Sequence, residues 1–250
     1  MSLAPELAVD AAIVLAGFLT ASLSGAAGLG GGTILIAVFY ALGMNAAEAV
    51  PLFAAVQMVS NSARSIAYVR HVHWPAAGWF LLAAVPATVL VAPYAAALDT
   101  RLIQLLLAGL ILFSLLPRAA GRTLAQRPAF MLAGLLNGSI GLFVGATGLV
   151  VGRLFLRPEW RRETTIGTLA LTQVLGHGLR VLAYGVVGFS VLAQWQRLLP
   201  LCLAVIAGTV LGKHINGRIS EAAFTRLFKL ILLLLSLELI IDALGGWSWL

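Results

Sequence analysis

The sequence predicts an all-α polytopic membrane protein of two inverted repeats, each a broken or re-entrant helical hairpin followed by three transmembrane helices. Three observations predict it. Of 250 residues, 61% are hydrophobic and 10% charged, too few ionic groups to coat a soluble globule. The apolar residues gather in eight runs, and polar residues inside two of those runs recur at one constant offset. A hydrocarbon core about 30 Å thick takes roughly 20 helical residues per crossing, which leaves room for at most about eight or nine crossings and no soluble domain. A soluble enzyme, a nucleic-acid module and a disordered chain are all excluded by composition.

The runs fall at 9 to 44, 47 to 69, 75 to 96, 100 to 117, 129 to 156, 164 to 189, 196 to 215 and 222 to 244. Six have the length of a single crossing. The first and fifth are too long for one and are broken by glycine, at Gly25, Gly28, Gly30, Gly31 and Gly32, and at Gly138, Gly141, Gly145, Gly148 and Gly152. Broken backbone at membrane depth persists only where protein buries it or it lines a wet cavity, because lipid offers no hydrogen bonds. The competing reading is that these glycines serve close helix packing, through spacings such as Gly28 to Gly32, Gly148 to Gly152 and Gly208 to Gly212.

Loop charge sets the expected orientation. The net charge is +7, and all sixteen Lys and Arg residues lie at or beyond Arg64. If the first and fifth runs are hairpins that return to the side they entered, Arg70, Arg118, Arg122, Arg127, Arg153, Arg157, Arg161, Arg162, Lys213 and Arg218 share one face. Arg101 and Arg197 then share the other with Glu6 and Asp10. Basic loops stay cytoplasmic, so both termini are expected outside. The N-terminus, with Glu6 and Asp10 and no basic residue, lacks the positive region of a cleaved signal peptide. The single cysteine, Cys202, lies in an apolar run and is read as packing.

The internal repeat is the most informative feature. Gln57, Asn61, Arg64 and Tyr68 correspond to Gln173, His177, Arg180 and Tyr184 at an offset of 116. Gly28 and Gly31 match Gly145 and Gly148 at 117, and Ala87 to Leu90 resembles Gly208 to Leu211 at 121. The first repeat is placed at 1 to 122 and the second at 123 to 250. Positions i, i+4, i+7 and i+11 share one helix face, so each half presents a stripe of Gln, then Asn or His, then Arg, then Tyr. A hairpin plus three crossings reverses the starting side, which makes the repeats inverted, as in secondary transporters with a midplane site.

Arg64 and Arg180 lie inside apolar runs, where a charge is costly and faces a partner or a water-filled cavity. No carboxylate occupies either stripe. A bound small anion is the natural counter-ion, because the guanidinium fork matches carboxylate, sulfonate or phosphate oxygens. The N–H groups of Gly30, Gly31, Gly32 and Thr33, and those from Gly145 to Gly148, are expected to complete its shell, with Gln57, Gln173 and Asn61 orienting it. The bland alternative is that the arginines bind freed backbone carbonyls and the amides glue helices. His177 is the one histidine deep in an apolar run and the one candidate proton carrier on the stripes; a satisfied core histidine is the competing reading. Tyr68 and Tyr184 suit an interfacial belt. Arg226 and Lys229 are read as snorkelling at a helix start.

The segment from Gly25 to Thr33 has a phosphate-loop look, but Gly31 stands where the lysine is needed. His71, His73 and His214 are dispersed, so no metal centre is expected. No cofactor and no nucleic-acid partner are implied, and no paired carboxylates or serine with a base converge on one face, so an enzyme is not expected.

Gly-Leu-Gly-Gly-Gly at 28 to 32, the polar stripe after Glu48, and the stretch from Gly208 to Arg218 leading into a final apolar helix resemble the TauE/SafE family of membrane permeases. The second-half counterpart, Gly-Ala-Thr-Gly at 145 to 148, departs from that motif. The resemblance implies a bacterial inner-membrane transporter for small sulfur oxyanions or organosulfonates, such as sulfite or sulfoacetate, working in export. The reading is therefore secondary transport of a small anion by alternating access. An anion channel, and at greater distance a membrane assembly factor, are the alternatives. Coupling to a proton through His177, coupling to sodium, and a homodimer joined through the glycine spacings all stay open.

Overall fold

The computed structural model describes residues 3–27, 31–95, 97–116, 124–215 and 221–245. Gly28, Gly30, Arg118, Arg122 and Arg218 lie outside the described residues. Eleven α-helices account for the described chain: α1 (Leu3–Ala27), α2 (Gly31–Ala41), α3 (Ala46–Ala67), α4 (Trp74–Val91), α5 (Thr100–Leu115), α6 (Gln126–Gly138), α7 (Ile140–Val144), α8 (Gly148–Val151), α9 (Arg162–Val186), α10 (Trp195–Ile215) and α11 (Glu221–Ala243). No strand occurs among the described residues. The protein is an all-α polytopic membrane protein. Trp74–Tyr94, Arg162–Val186 and Val191–Gly212 are long and apolar enough to cross a bilayer. Large apolar side chains are exposed along the outside, including Leu82, Val89 and Leu90 on α4, Leu199, Leu203 and Ile206 on α10, and Leu230, Leu234 and Leu237 on α11. Water would penalise that surface and hydrocarbon accepts it.

Helix starts follow local chemistry. Asn45 caps α3 by accepting from the Glu48 N–H at 3.0 Å, and Asp99 caps α5 by accepting from the Arg101 N–H at 2.7 Å. The fifth apolar run is broken most. It yields α6, α7, α8 and a short 3-10 turn, Gly152–Phe155. The turn between α7 and α8 passes through Gly145 at φ +76, a conformation a side chain disfavours.

Between helices in lipid, close backbone approach does the work that hydrophobic burial does in water. A methyl on Gly134 of α6 would come within 2.1 Å of the Phe80 carbonyl oxygen of α4, and one on Gly208 of α10 within 2.2 Å of the Phe18 carbonyl oxygen of α1. Gly17 of α1 meets Leu201 and Val205 of α10, whereas Gly134 meets Phe80 and Ala84 of α4. Gly17 and Gly134 differ by 117 positions, and Phe80 and Ala84 precede Leu201 and Val205 by 121, the offsets seen in the sequence. The first helix of each half, α1 or α6, thus packs on the helix that follows the other half's polar stripe, α10 or α4.

Directions follow from the same contacts. Asp10 pairs with Arg197 at 2.7 Å and Phe18 approaches Gly208, so α1 and α10 run parallel. Gly167 packs on Tyr68 while His177 meets Phe53 edge-on at 5.6 Å, so α3 and α9 run antiparallel. The Gln104 amide donates to Asp242 at 2.6 Å, linking the start of α5 to the end of α11. Helices related by the sequence repeat, α3 with α9 and α5 with α11, therefore meet head to tail.

One end of the bundle gathers Asp10, Glu48, Asp99, Asp242, Arg101 and Arg197. The opposite end gathers Arg70, Arg127, Arg153, Arg157, Arg161 and Arg162. Some of these arginines are engaged: Arg153 donates to the Ser114 and Leu116 carbonyls at the end of α5, and Arg157 donates to the Leu124 carbonyl and lies 5.3 Å over the Phe130 ring.

Candidate functional site

A cavity of about 100 Å³ lies where α2, α3, α8 and α9 converge. It is lined by Gly32 and Thr33 of α2, Phe53, Gln57, Asn61 and Arg64 of α3, Ala146, Gly148 and Leu149 around α8, and Thr165, Ile166, Leu169, Ala170, Gln173 and His177 of α9. Both stripes contribute to it because α3 and α9 cross antiparallel with those faces together. No carboxylate is among these lining residues.

One kind of contact occurs twice in the wall. A methyl on Gly32 would fall 2.8 Å from the Gln57 Nε2, and one on Gly148 would fall 3.9 Å from the Gln173 Oε1. Gly32 and Gly148 differ by 116, as do the glutamines. The structure thus shifts the glycine alignment by one residue from the offset of 117. The Asn61 amide donates to the Gln57 carbonyl at 2.8 Å, which turns it along its own helix. The Gln173 Nε2 is buried without a hydrogen-bond partner, on a residue 9% exposed.

Arg180 is placed differently from Arg64. It does not line the cavity; it is 1% exposed and lies behind His177, where its Nη1 donates to the ring Nδ1 at 2.7 Å. A guanidinium has only donors, so Nδ1 must accept and the ring is neutral with its hydrogen on Nε2. The Nε and Nη2 groups of Arg180 are buried without partners. His177 lies within electrostatic reach of both arginines. Tyr184, one turn beyond, is fully buried with its hydroxyl 3.3 Å from the Ala95 and Leu142 carbonyl oxygens. It is core, in contrast to the interfacial belt expected for it. Its counterpart Tyr68 is half-buried.

The cavity is consequently closed at one end and open at the other. At the closed end stand His177, Phe53 and the sealed Arg180. At the open end Arg64, Thr165 and Ile166 are half-buried, and this is the arginine-rich end of the bundle.

Of the other expected site residues, Gly31 faces a separate small cavity with Thr20, Ser60 and Val205, and Gly145 packs on Ile36 and Phe53. Gly30 lies outside the described residues. The helix after the second break, α8, has four residues, too short to present the dipole end expected there. The eleven-residue α2 keeps that capacity at Gly32 and Thr33. Missed from sequence were Thr165 and Ile166 at the mouth, and the buried Asn137, which donates to the Thr147 hydroxyl at 3.2 Å and enters a notch left by Gly176. Asn137 beside Gly138, a polar residue in a glycine-broken apolar run, was the signal available.

A family model described as sulfite exporter TauE/SafE matches residues 13–239. No curated protein and no solved structure matches the chain. The matched region runs from within α1 to within α11 and takes in both broken runs and both polar stripes, and the chain belongs to the TauE/SafE sulfite exporter family.

Proposed function

We propose that the protein carries a small sulfur oxyanion, sulfite or an organosulfonate such as sulfoacetate, across the bacterial inner membrane by alternating access, in the export direction. The observation that carries this is a cavity within the helix bundle walled by donors and a cation, with no acid among its lining residues and one end closed. Arg64 supplies the charge, the Gln173 and Gln57 amides and the His177 Nε2–H supply directed donors, and the N-terminus of α2 adds N–H groups at Gly32 and Thr33. A volume of about 100 Å³ is well above the roughly 10–15 Å³ that a single water needs, and it suits a compact SO₃ head. The antiparallel α3 and α9, and the exchanged α1·α10 and α4·α6 contacts, support the reading of residues 1 to 122 and 123 to 250 as inverted repeats. Closure at His177 and Tyr184 favours a carrier over a channel. The arginine-rich end, where the cavity opens, is the cytoplasmic one on this reading.

The test is flux of labelled sulfite and sulfoacetate in proteoliposomes. Losing a charged hydrogen bond costs about 1.5–3 kcal/mol, so Arg64→Gln should weaken apparent affinity about 10- to 100-fold. Wild-type flux and affinity in Arg64→Gln would refute the assignment.

A further inference from the structure

We infer that Arg180 is the anion's binding cation in the opposite-facing state, and that the His177 Nδ1 is the latch that holds it sealed in this one. The inference rests on the anion-carrier reading above and deepens it.

The two halves carry the same residues in different surroundings. Along the stripes, Arg64 is half-buried at the cavity wall and Arg180 is sealed; Tyr68 is half-buried and Tyr184 is wholly buried. The asymmetry continues past the stripes. Thr165 and Ile166 line the open end half-buried, and the residues 116 positions before them, Ala49 and Val50, are both 0% exposed. Val50 packs with Ala95, Leu142, Ala183 and Tyr184 in the plug of the closed end. The pairs Arg64 and Arg180, Tyr68 and Tyr184, and Thr165 and Ile166 with Ala49 and Val50 divide the same way, the member toward the arginine-rich end being the more exposed, whereas Asn61 and His177 are both buried at the cavity.

In an inverted-repeat carrier, the two facing states are obtained by exchanging the conformations of the halves. Applied to this chain, the exchange moves Arg180 to the cavity wall, opens the vestibule past Val50 and Ala49, and buries Arg64, Thr165 and Ile166. The buried, unpartnered Nε and Nη2 of Arg180 then gain an anion. The exchange is not between equals. The position three residues before the arginine is His177 in one half and Asn61 in the other, and Asn61 is already turned onto the Gln57 carbonyl. Only His177 offers its arginine a ring nitrogen acceptor, so the contact that seals Arg180 is of a kind the amide of Asn61 does not copy.

The experiment uses the full chain with Cys202→Ala, carrying either Val50→Cys or Ile166→Cys, in oriented proteoliposomes. Each is labelled from one face at a time with the membrane-impermeant cation trimethylammonioethyl methanethiosulfonate, with and without sulfoacetate. Ile166→Cys should react only from the arginine-rich face and Val50→Cys only from the acid-rich face. Adding His177→Asn, which copies the other half, should raise the Val50→Cys rate severalfold and lower the Ile166→Cys rate. A Val50→Cys protein that transports sulfite yet never reacts from either face overturns the inference, as does a His177→Asn change that leaves both rates unaltered or moves them together. Flux separates it from the parent reading. Loss in both Arg64→Gln and Arg180→Gln supports it. Loss in Arg64→Gln with wild-type flux in Arg180→Gln overturns the alternation alone, and wild-type flux in Arg64→Gln overturns the anion site itself.

Discussion

At the scale of residues, the cavity wall is set by what glycine omits. A methyl on Gly32 would meet the Gln57 amide, the free end of a flexible side chain that can swing away. Gly32→Ala should therefore fold with little change in melting temperature while lowering sulfite affinity, read as a reduced ligand-induced thermal shift. Gly176→Ala is harsher, because its methyl would lie 2.2 Å from the Oδ1 of buried Asn137. It should lose about 1–3 kcal/mol by overpacking, seen in thermal unfolding in detergent. The stripe residues were legible in the sequence because polar side chains at helical spacing in an apolar run have few other uses. What the sequence hid is that Arg64 and Arg180, identical in type and register, have opposite environments. A repeat specifies which residues correspond; on the alternation inferred above, the facing state decides which of them is exposed.

Among the elements, the pairs α1 with α10 and α4 with α6 are held by glycine against backbone, where no side chain can yield. Gly134→Ala and Gly208→Ala should each force their helices apart and destabilise more than Gly32→Ala, with loss of folded protein on heating as the measurement. The Asp10–Arg197 tie between α1 and α10 is one-third exposed at both side chains. Asp10→Asn should cost no more than about 1 kcal/mol in unfolding experiments. Helices in the unbroken apolar runs were readable to within a few residues, from the run 47 to 69 against Ala46–Ala67 to the run 222 to 244 against Glu221–Ala243. The fifth run was readable as broken but not as three short helices and a 3-10 turn. That division depends on Gly145 turning at positive φ and on Asn137 reaching Thr147, contacts between segments that spacing alone does not encode.

Taken whole, a bundle closed at one end predicts carrier kinetics. Sulfite flux should saturate, and sulfite on the far side should accelerate labelled efflux; linear flux without such exchange would indicate a pore. The head-to-tail meeting of α3 with α9 could not be read from the sequence directly, since it required the hairpins to return to their own side. Loop arginines hinted at it, and the packing of Tyr68 on Gly167 carries it.

On the alternation inferred above, the substitution of an imidazole for an amide, His177 against Asn61, would make the molecule's two resting doors unequally heavy. Apparent affinity falls with the fraction of molecules presenting a competent site, so solute arriving at the arginine-rich face should half-saturate at lower concentration than solute arriving opposite. Microscopic reversibility then requires the thriftier direction to be the slower one at saturation. A machine assembled from near-copies would in this way behave as a kinetic rectifier without consuming any energy source.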